Sequence, residues 1–358
     1  MAQSLGAAGS LAVDAERSSG IRYGNPTEMI QVRDLAGRTF LLDTRMEEFF
    51  PQLENRLASV PWILHDGSQD LPGILALGLS PNRYFDTEYA ARLVGYKSFG
   101  LAYLCEDLLG VSLPKEFQSA DWSCRPWPSS WLLYAANDVA YLHDLQSLLM
   151  EQLESRDRVE WLEDYCQATL DASRTPKARK GKWRKGISKK VHRPEQLATL
   201  KYLWKARESI AQELDVAPHR VVSQRDLLFA ASQAPSTWDG LSQLQGFSGP
   251  NARDNKSEWV CALSAAQAAL SAGEDFLDRG NRRSWGSQRQ RELADSLQRK
   301  ISERVERAAA ELGIEKPLLA TSAQIKQVAR NSVEDRDDPF SGVTLLPWQR
   351  AILSDTIS

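Results

Sequence analysis

Residues 174–193 read RTPKARKGKWRKGISKKVHR, with ten Lys or Arg in 20 positions and no acid. No core can take in a segment so charged, because each unpaired cation would lose its hydration. Pro176, Gly181 and Gly186 also discourage one continuous helix through it. The run reads as the main boundary, a basic linker between two parts of the chain. A length of 358 residues agrees, being too long for a single hydrophobic core. The run can lie along phosphate or serve only as a soluble tether, and Trp183 within it favours docking.

Charge divides at the same place. Residues 1–170 carry 13 Lys/Arg and 24 Asp/Glu, a net of −11. Residues 171–358 carry 31 and 23, a net of +8, and the two sum to the −3 of the whole chain. A basic half joined to an acidic half points to a nucleic-acid partner, with a solvated charged surface as the plainer alternative. No run approaches the roughly 20 apolar residues of a membrane span, so an integral membrane protein is excluded. The start, MAQSLGAAGSLAVDAE, lacks a basic n-region and a long apolar stretch, so no secretory signal is expected. Cys105, Cys124, Cys166 and Cys261 lie far apart, which excludes a disulfide scaffold and familiar zinc spacings and fits the cytoplasm.

Periodicity assigns the architecture. Leu11–Glu16, Met29–Arg33 and Thr39–Asp43 are strand-like runs close enough for an antiparallel meander. Glu47–Leu57 is helix-like, Trp62–His65 reads as a buried strand, and Gln69–Leu77 starts a helix with Pro72 in its first turn. Phe85–Leu93, Leu101–Leu109 and Trp131–Leu153 are further helices. The expectation is a mixed sheet flanked by helices over residues 1–170.

Beyond the linker (171–193) the chain is helical, over Pro194–Leu214, Ser223–Ser232, Ser236–Leu244 and Lys256–Leu270. Ser223 with Asp226, and Ser236 with Asp239, read as helix caps. Arg289–Leu312, Ser322–Ala329 and Pro347–Leu353 form a second set. At an offset of 98 residues, Leu214, Val216, Val221, Ser223, Leu227 and Ala231 align with Leu312, Ile314, Leu319, Thr321, Ile325 and Ala329. Two related helical domains are therefore expected, at 194–272 and 288–358, with a short linker at 273–287.

Chemistry concentrates in the acidic half. Asp14 and Glu16 are two apart on an apolar strand, so both carboxylates share one face. Adjacent acids repel unless a cation neutralises them, and hard divalent cations favour oxygen ligands. Asp70 opens a helix after a buried strand, where the helix dipole alone would justify an acid. Tyr134 and Asp138, spaced i, i+4, share a helix face turned away from the apolar stripe of Leu132, Ala135, Val139 and Leu142. Each feature alone is common on protein surfaces.

Together they resemble the tyrosine branch of the DEDD exonuclease superfamily: D-x-E on the first strand, an Asp about fifty residues on, and Y-x-x-x-D on a late helix. LAVDAER, WILHDGSQDL, YFDTEYAARLVG, GLAYLCEDLLGV and ADWSCRPWPSSWLLYAANDVAYL are similar to the ribonuclease D family. Pro194–Ala272, with Trp204, Arg207, Pro235, Leu241 and Gly246, resembles the HRDC domain (helicase and RNase D C-terminal), and 288–355 looks like a divergent second copy.

The resemblance implies a ribonuclease H-like α/β domain followed by two small all-α HRDC-like domains. It implies two divalent cations, Mg²⁺ or Mn²⁺. Asp14, Glu16 and Asp138 would hold the first, Asp14 would bridge to the second with Asp70 nearby through water, and Tyr134 would orient the attacking water. It implies a 3′–5′ exoribonuclease that releases 5′-mononucleotides from tRNA precursors or other structured RNAs. Many relatives carry an aromatic where Arg17 stands, and Arg17 is a candidate phosphate contact. Lys180, Lys182, Trp183, Arg184 and Lys185 are expected to hold the RNA body. Trp122, Trp127, Trp131 and Tyr23 are candidates for stacking on splayed bases. Nothing in the sequence demands a dimer. A DNA 3′–5′ exonuclease shares the same five residues, and a non-catalytic RNA-binding module is the other alternative. No G-x-x-x-x-G-K-[ST] loop is present to support a helicase.

Overall fold

The computed structural model describes residues 9–114, 117, 120–175, 183–187, 191–277, 286–334 and 336–357. The chain forms two compact units, one from Met1–Glu16, Thr27–Pro176 and Trp285–Ser358 and the other from Arg17–Pro26 and Lys177–Ser284.

The first unit is built on five strands: β1 (Leu11–Arg17), β2 (Thr27–Asp34), β3 (Thr39–Asp43), β4 (Trp62–Leu64) and β5 (Tyr84–Asp86). They run in the order β3-β2-β1-β4-β5. β2 and β3 are antiparallel, with Gln31 opposite Leu41. Their turn is closed by Asp34, whose carboxylate accepts from the Arg38 amide at 2.9 Å, and by Gly37 at φ +81°. β1 pairs parallel with β4, and β4 with β5. Leu11, Ala12, Val13, Trp62, Ile63 and Leu64 are all buried, as strands covered on both faces require.

Helices α1 (Phe50–Ala58), α2 (Gly67–Ala76), α3 (Thr87–Val94), α4 (Leu101–Leu109), α5 (Ser129–Asp138), α6 (Leu142–Glu154) and α7 (Val159–Arg174) complete the domain. Several differ from expectation. Tyr84–Asp86 is a strand rather than the start of a helix, and Asp86 then caps α3. α2 begins at Gly67, two residues early, so Pro72 lies inside it instead of in its first turn. The early start follows from an acceptor supplied by Asp86 to the Gly67 amide. Trp131–Leu153 is two helices, broken at Val139–Tyr141, with Val139 and Leu142 both buried at the break. α7 lies beyond the expected elements, although its buried Leu162, Cys166 and Leu170 carry helical spacing.

The second unit packs α8 (Pro194–Glu213), α9 (Pro218–Val221), α10 (Gln224–Gln233), α11 (Trp238–Ser242), α12 (Pro250–Arg253) and α13 (Lys256–Ser271) around their own core, in which Phe247 meets Trp259 edge-on at 5.1 Å. The Ser223 hydroxyl accepts from the Asp226 amide at 3.1 Å, as the capping pattern predicts. The next cap is Thr237 rather than Ser236: its hydroxyl reaches the Gly240 amide, while the Ser236 carbonyl accepts from Gln267.

The repeat is visible in the element ends. α14 (Gln288–Glu311), α15 (Lys316–Leu319) and α16 (Ser322–Val333) end, span and begin 98 residues after α8, α9 and α10, and Thr321 caps α16 as Ser223 caps α10. The copies differ in what buries them. Ile301, Val305, Ala309, Ile314 and Leu319 share one hydrophobic cluster with the sheet domain. Trp348, on α17 (Pro347–Ile357), stacks on Trp161 at 4.4 Å and 7°. The buried Arg158 donates to the Leu93 and Leu312 carbonyls, tying α3 to the end of α14. No helix among the described residues is long and apolar enough to cross a membrane.

Candidate metal centre

The pleat of β1 turns Ala15 into the core and leaves Asp14 and Glu16 half-buried on the opposite face. Asp138 arrives at the last turn of α5. Among the described residues, Asp14, Glu16 and Asp138 each offer an oxygen within 4.8 Å of the other two. Three carboxylates so close repel one another. Burial, followed by the Asp14 charge, pushes the Asp138 carboxyl up to about 8, against a hydrogen bond from the Tyr134 hydroxyl that lowers it. Burial and then the charges of Asp138, Glu16 and Asp14 push the Tyr134 phenol far above its usual range, so it stays neutral. Tyr134 therefore stands within the field of all three carboxylates. The donor set, all oxygen and all anionic, suits a hard divalent cation. A cation there would replace the proton that burial and the Asp14 charge favour on Asp138.

α5 is held by its aromatic neighbours. Buried Met29, Trp122 and Ala135 form a small cluster with half-buried Trp127, Trp131 and Tyr134. Phe117 meets Tyr134 edge-on at 6.1 Å. Arg125 fixes the segment leading into α5: its guanidinium donates to Asp43 at 2.7 Å, to the Glu28 carboxylate at 2.9 Å and to the Trp122 carbonyl at 2.7 Å, and lies 4.1 Å from the Trp127 ring. Nothing in the sequence singles out Arg125, because its carboxylate partners lie 82 and 97 residues away.

The other expected residues are placed as follows. Asp70 lies in the first turn of α2, buried, and outside the 4.8 Å trio. Trp122 is fully buried, which removes it from the stacking candidates; Trp127 and Trp131 keep part of their surface. Arg17 ends β1, half-buried, and Tyr23 packs on the core of the second unit. Trp183 packs on that same core with the Arg184 guanidinium 4.3 Å from its ring, and Arg184 also donates to the Phe276 carbonyl at 2.8 Å. The Lys185 carbonyl accepts from Gln224 at 3.0 Å. Lys180 and Lys182 lie outside the described residues.

A mixed sheet whose first strand carries D-x-E, with a Y-x-x-x-D helix bringing its acid to the same point, defines the 3′–5′ exonuclease class of the ribonuclease H-like folds. A 3′–5′ exonuclease family profile matches residues 1–154, and an HRDC domain profile matches 196–263. The protein named ribonuclease D in Cronobacter turicensis is 32% identical over 279 residues, covering 75% of this chain and 72% of that one. The chain belongs to the ribonuclease D family. Ribonuclease D of Bartonella henselae is 29% identical over 205 residues, 57% of this chain and 50% of its own, so the match spans about half the length of that relative. The fold is that of the Escherichia coli RNase D crystal structure, described as an exoribonuclease involved in structured RNA processing, with TM-score 0.75 and 24% identity over 99% of this chain and 94% of that one.

Proposed function

We propose that this chain is a metal-dependent 3′–5′ exoribonuclease of ribonuclease D type, which hydrolyses RNA phosphodiesters and releases 5′-mononucleotides. The observation that carries the reading is the convergence of Asp14, Glu16 and Asp138 beside Tyr134. These three carboxylates would hold one cation, with Asp14 shared with a second and Asp70 nearby. When bound, two Mg²⁺ or Mn²⁺ ions would supply an activated water and charge stabilisation for the leaving 3′-oxygen. Tyr134 contributes a neutral hydroxyl that orients the water. Asp138 accepts that hydroxyl's hydrogen bond and so fixes its direction. Residues 1–170 form the catalytic domain in this reading, and 194–272 and 288–358 are two HRDC-like modules. The enzyme works as a monomer in the cytoplasm on tRNA precursors or similar RNAs with a single-stranded 3′ end.

The test is incubation of a 3′-extended tRNA with Mg²⁺ or Mn²⁺, beside a DNA oligonucleotide of matched sequence. Stepwise release of 5′-mononucleotides from the RNA is expected. Equal attack on DNA would favour a DNA exonuclease, and binding without turnover would leave a non-catalytic module.

Tyr134→Phe is expected to lower turnover about 5- to 30-fold, the worth of one hydrogen bond of about 1–2 kcal/mol, with RNA affinity little changed. Single-turnover kinetics and filter binding separate the two, and unchanged turnover would remove Tyr134 from the mechanism. Neutralising Lys180, Lys182, Arg184 and Lys185 is expected to weaken RNA binding and flatten its log–log salt dependence by about 0.7 for each phosphate no longer neutralised. An unchanged slope would leave the segment a tether.

A further inference from the structure

Asp86 is a fully buried carboxylate held by backbone amides. Oδ1 accepts from Glu88 at 3.0 Å and Tyr89 at 3.1 Å, the ordinary capping of α3. The same oxygen accepts from Asp66 at 3.2 Å, and Oδ2 accepts from Gly67 at 2.9 Å. Those two donors lie in the turn between β4 and α2, some 20 residues earlier in the chain. One carboxylate therefore closes the amino ends of two helices.

α2 needs that outside acceptor. Its own N-cap residue, Asp66, makes no side-chain cap; its carboxylate is taken by the side chains of Ser68 and Gln69. Asp66 also holds the left-handed conformation at φ +56°, ψ +52°, which most L-residues avoid. The turn has no slack at the next residue. A Cβ on Gly67 would lie 2.8 Å from Tyr84 Cε2 and 3.3 Å from Leu64 Cβ. The adjoining residues are tied as well: the Thr87 hydroxyl donates to the Leu64 carbonyl at 3.2 Å and pairs with His65 Nδ1 at 2.9 Å. Three residues beyond Gly67, on this same first turn, stands Asp70.

We infer that Asp86 is a positioning residue of the candidate metal centre: its carboxylate latches the amino end of α2 and so sets where Asp70 stands. The inference rests on the proposed reading in which Asp70 serves that centre. A residue that only capped α3 would need one acceptor oxygen. The second oxygen, taken out of water at a cost, serves the helix that carries Asp70.

The experiment is a double-mutant cycle in the full-length chain. Asp86→Asn can keep its oxygen towards Glu88, Tyr89 and Asp66 while an amide replaces the oxygen facing Gly67, so α3 remains capped. It is expected to lower turnover on a 3′-extended RNA about tenfold with KM within about twofold, the scale of losing a ligand's outer support. It is also expected to weaken Mn²⁺ binding by calorimetry, measured at a temperature where circular dichroism shows the variant as fully folded as wild type. In an Asp70→Asn background, Asp86→Asn should change neither quantity further. Effects that multiply in the double variant would mean a general structural role and overturn the latch, leaving the site reading intact. Wild-type turnover and Mn²⁺ binding in Asp70→Asn alone would instead remove Asp70 from the centre, and the latch with it. If Asp86→Asn fails to fold, Gly67→Ala enters the same cycle, because its Cβ strains the same junction from the other side.

Discussion

Asp14→Ala and Asp138→Asn should each lower mononucleotide release by on the order of 10³-fold or more, while the protein stays folded. The size follows from what is removed. Charge builds on phosphate as the bond breaks, and fixed opposite charge in a water-poor site is the largest single source of rate. A carboxylate missing from the trio leaves that charge poorly held. The fold should not suffer, because without a cation the three acids repel one another and removing one relieves the repulsion. Asp138→Asn also keeps an acceptor for the Tyr134 hydroxyl. Melting temperature without metal should therefore stay level or rise, while the gain on adding Mg²⁺ disappears. A destabilised, unfolded variant would show the reverse order of effects. Full turnover in either variant would sink the assignment.

The site was legible where geometry is local. Period two put Asp14 and Glu16 on one face of β1, and i, i+4 spacing put Tyr134 and Asp138 on one face of α5. Their convergence came only from the whole constellation, because no local rule brings residue 138 to residue 14. What fixes the constellation was not legible. Asp86 carries a readable capping signal for its own helix, but its bonds to Asp66 and Gly67 depend on β4 and β5 being neighbours. The break between α5 and α6 has no Gly or Pro to announce it, and Val139 and Leu142 keep helical spacing across it. The 98-residue repeat was visible in its apolar pattern and capping hydroxyls. That the second copy buries Ile301 and Val305 against the sheet domain was not, since an amphipathic face does not name what covers it.

Affinity for Mg²⁺ or Mn²⁺ should rise about tenfold from pH 6 to 7 and about fivefold from 7 to 8, about 50-fold across the window, and level off above it. The Asp138 carboxyl stands at about 8, raised from 3.8 by burial and by Asp14, so a cation entering below that pH must displace one proton. Tyr134 is pushed up and stays neutral, and His65 is pushed down to about 4 by burial, so neither titrates in this range. Stability of the metal-free protein should move the opposite way. The folded state keeps on Asp138 a proton that the unfolded chain releases near pH 4, so the stability this group contributes is full at low pH and is lost as pH rises towards 8. Glu88, raised to about 7, and Asp86, raised to about 6, both chiefly by burial, add to that fall. The assignment to Asp138 therefore rests on the difference between wild type and Asp138→Asn. Calorimetric titration at pH 6, 7 and 8 should show a steep slope in the first and a flat, weaker affinity in the second. The Mg²⁺-dependent rise in melting temperature should likewise be larger at pH 8 than at pH 6 only when Asp138 is present. Equal slopes in the two proteins would mean that the displaced proton comes from elsewhere and that repulsion within the trio does not govern metal binding.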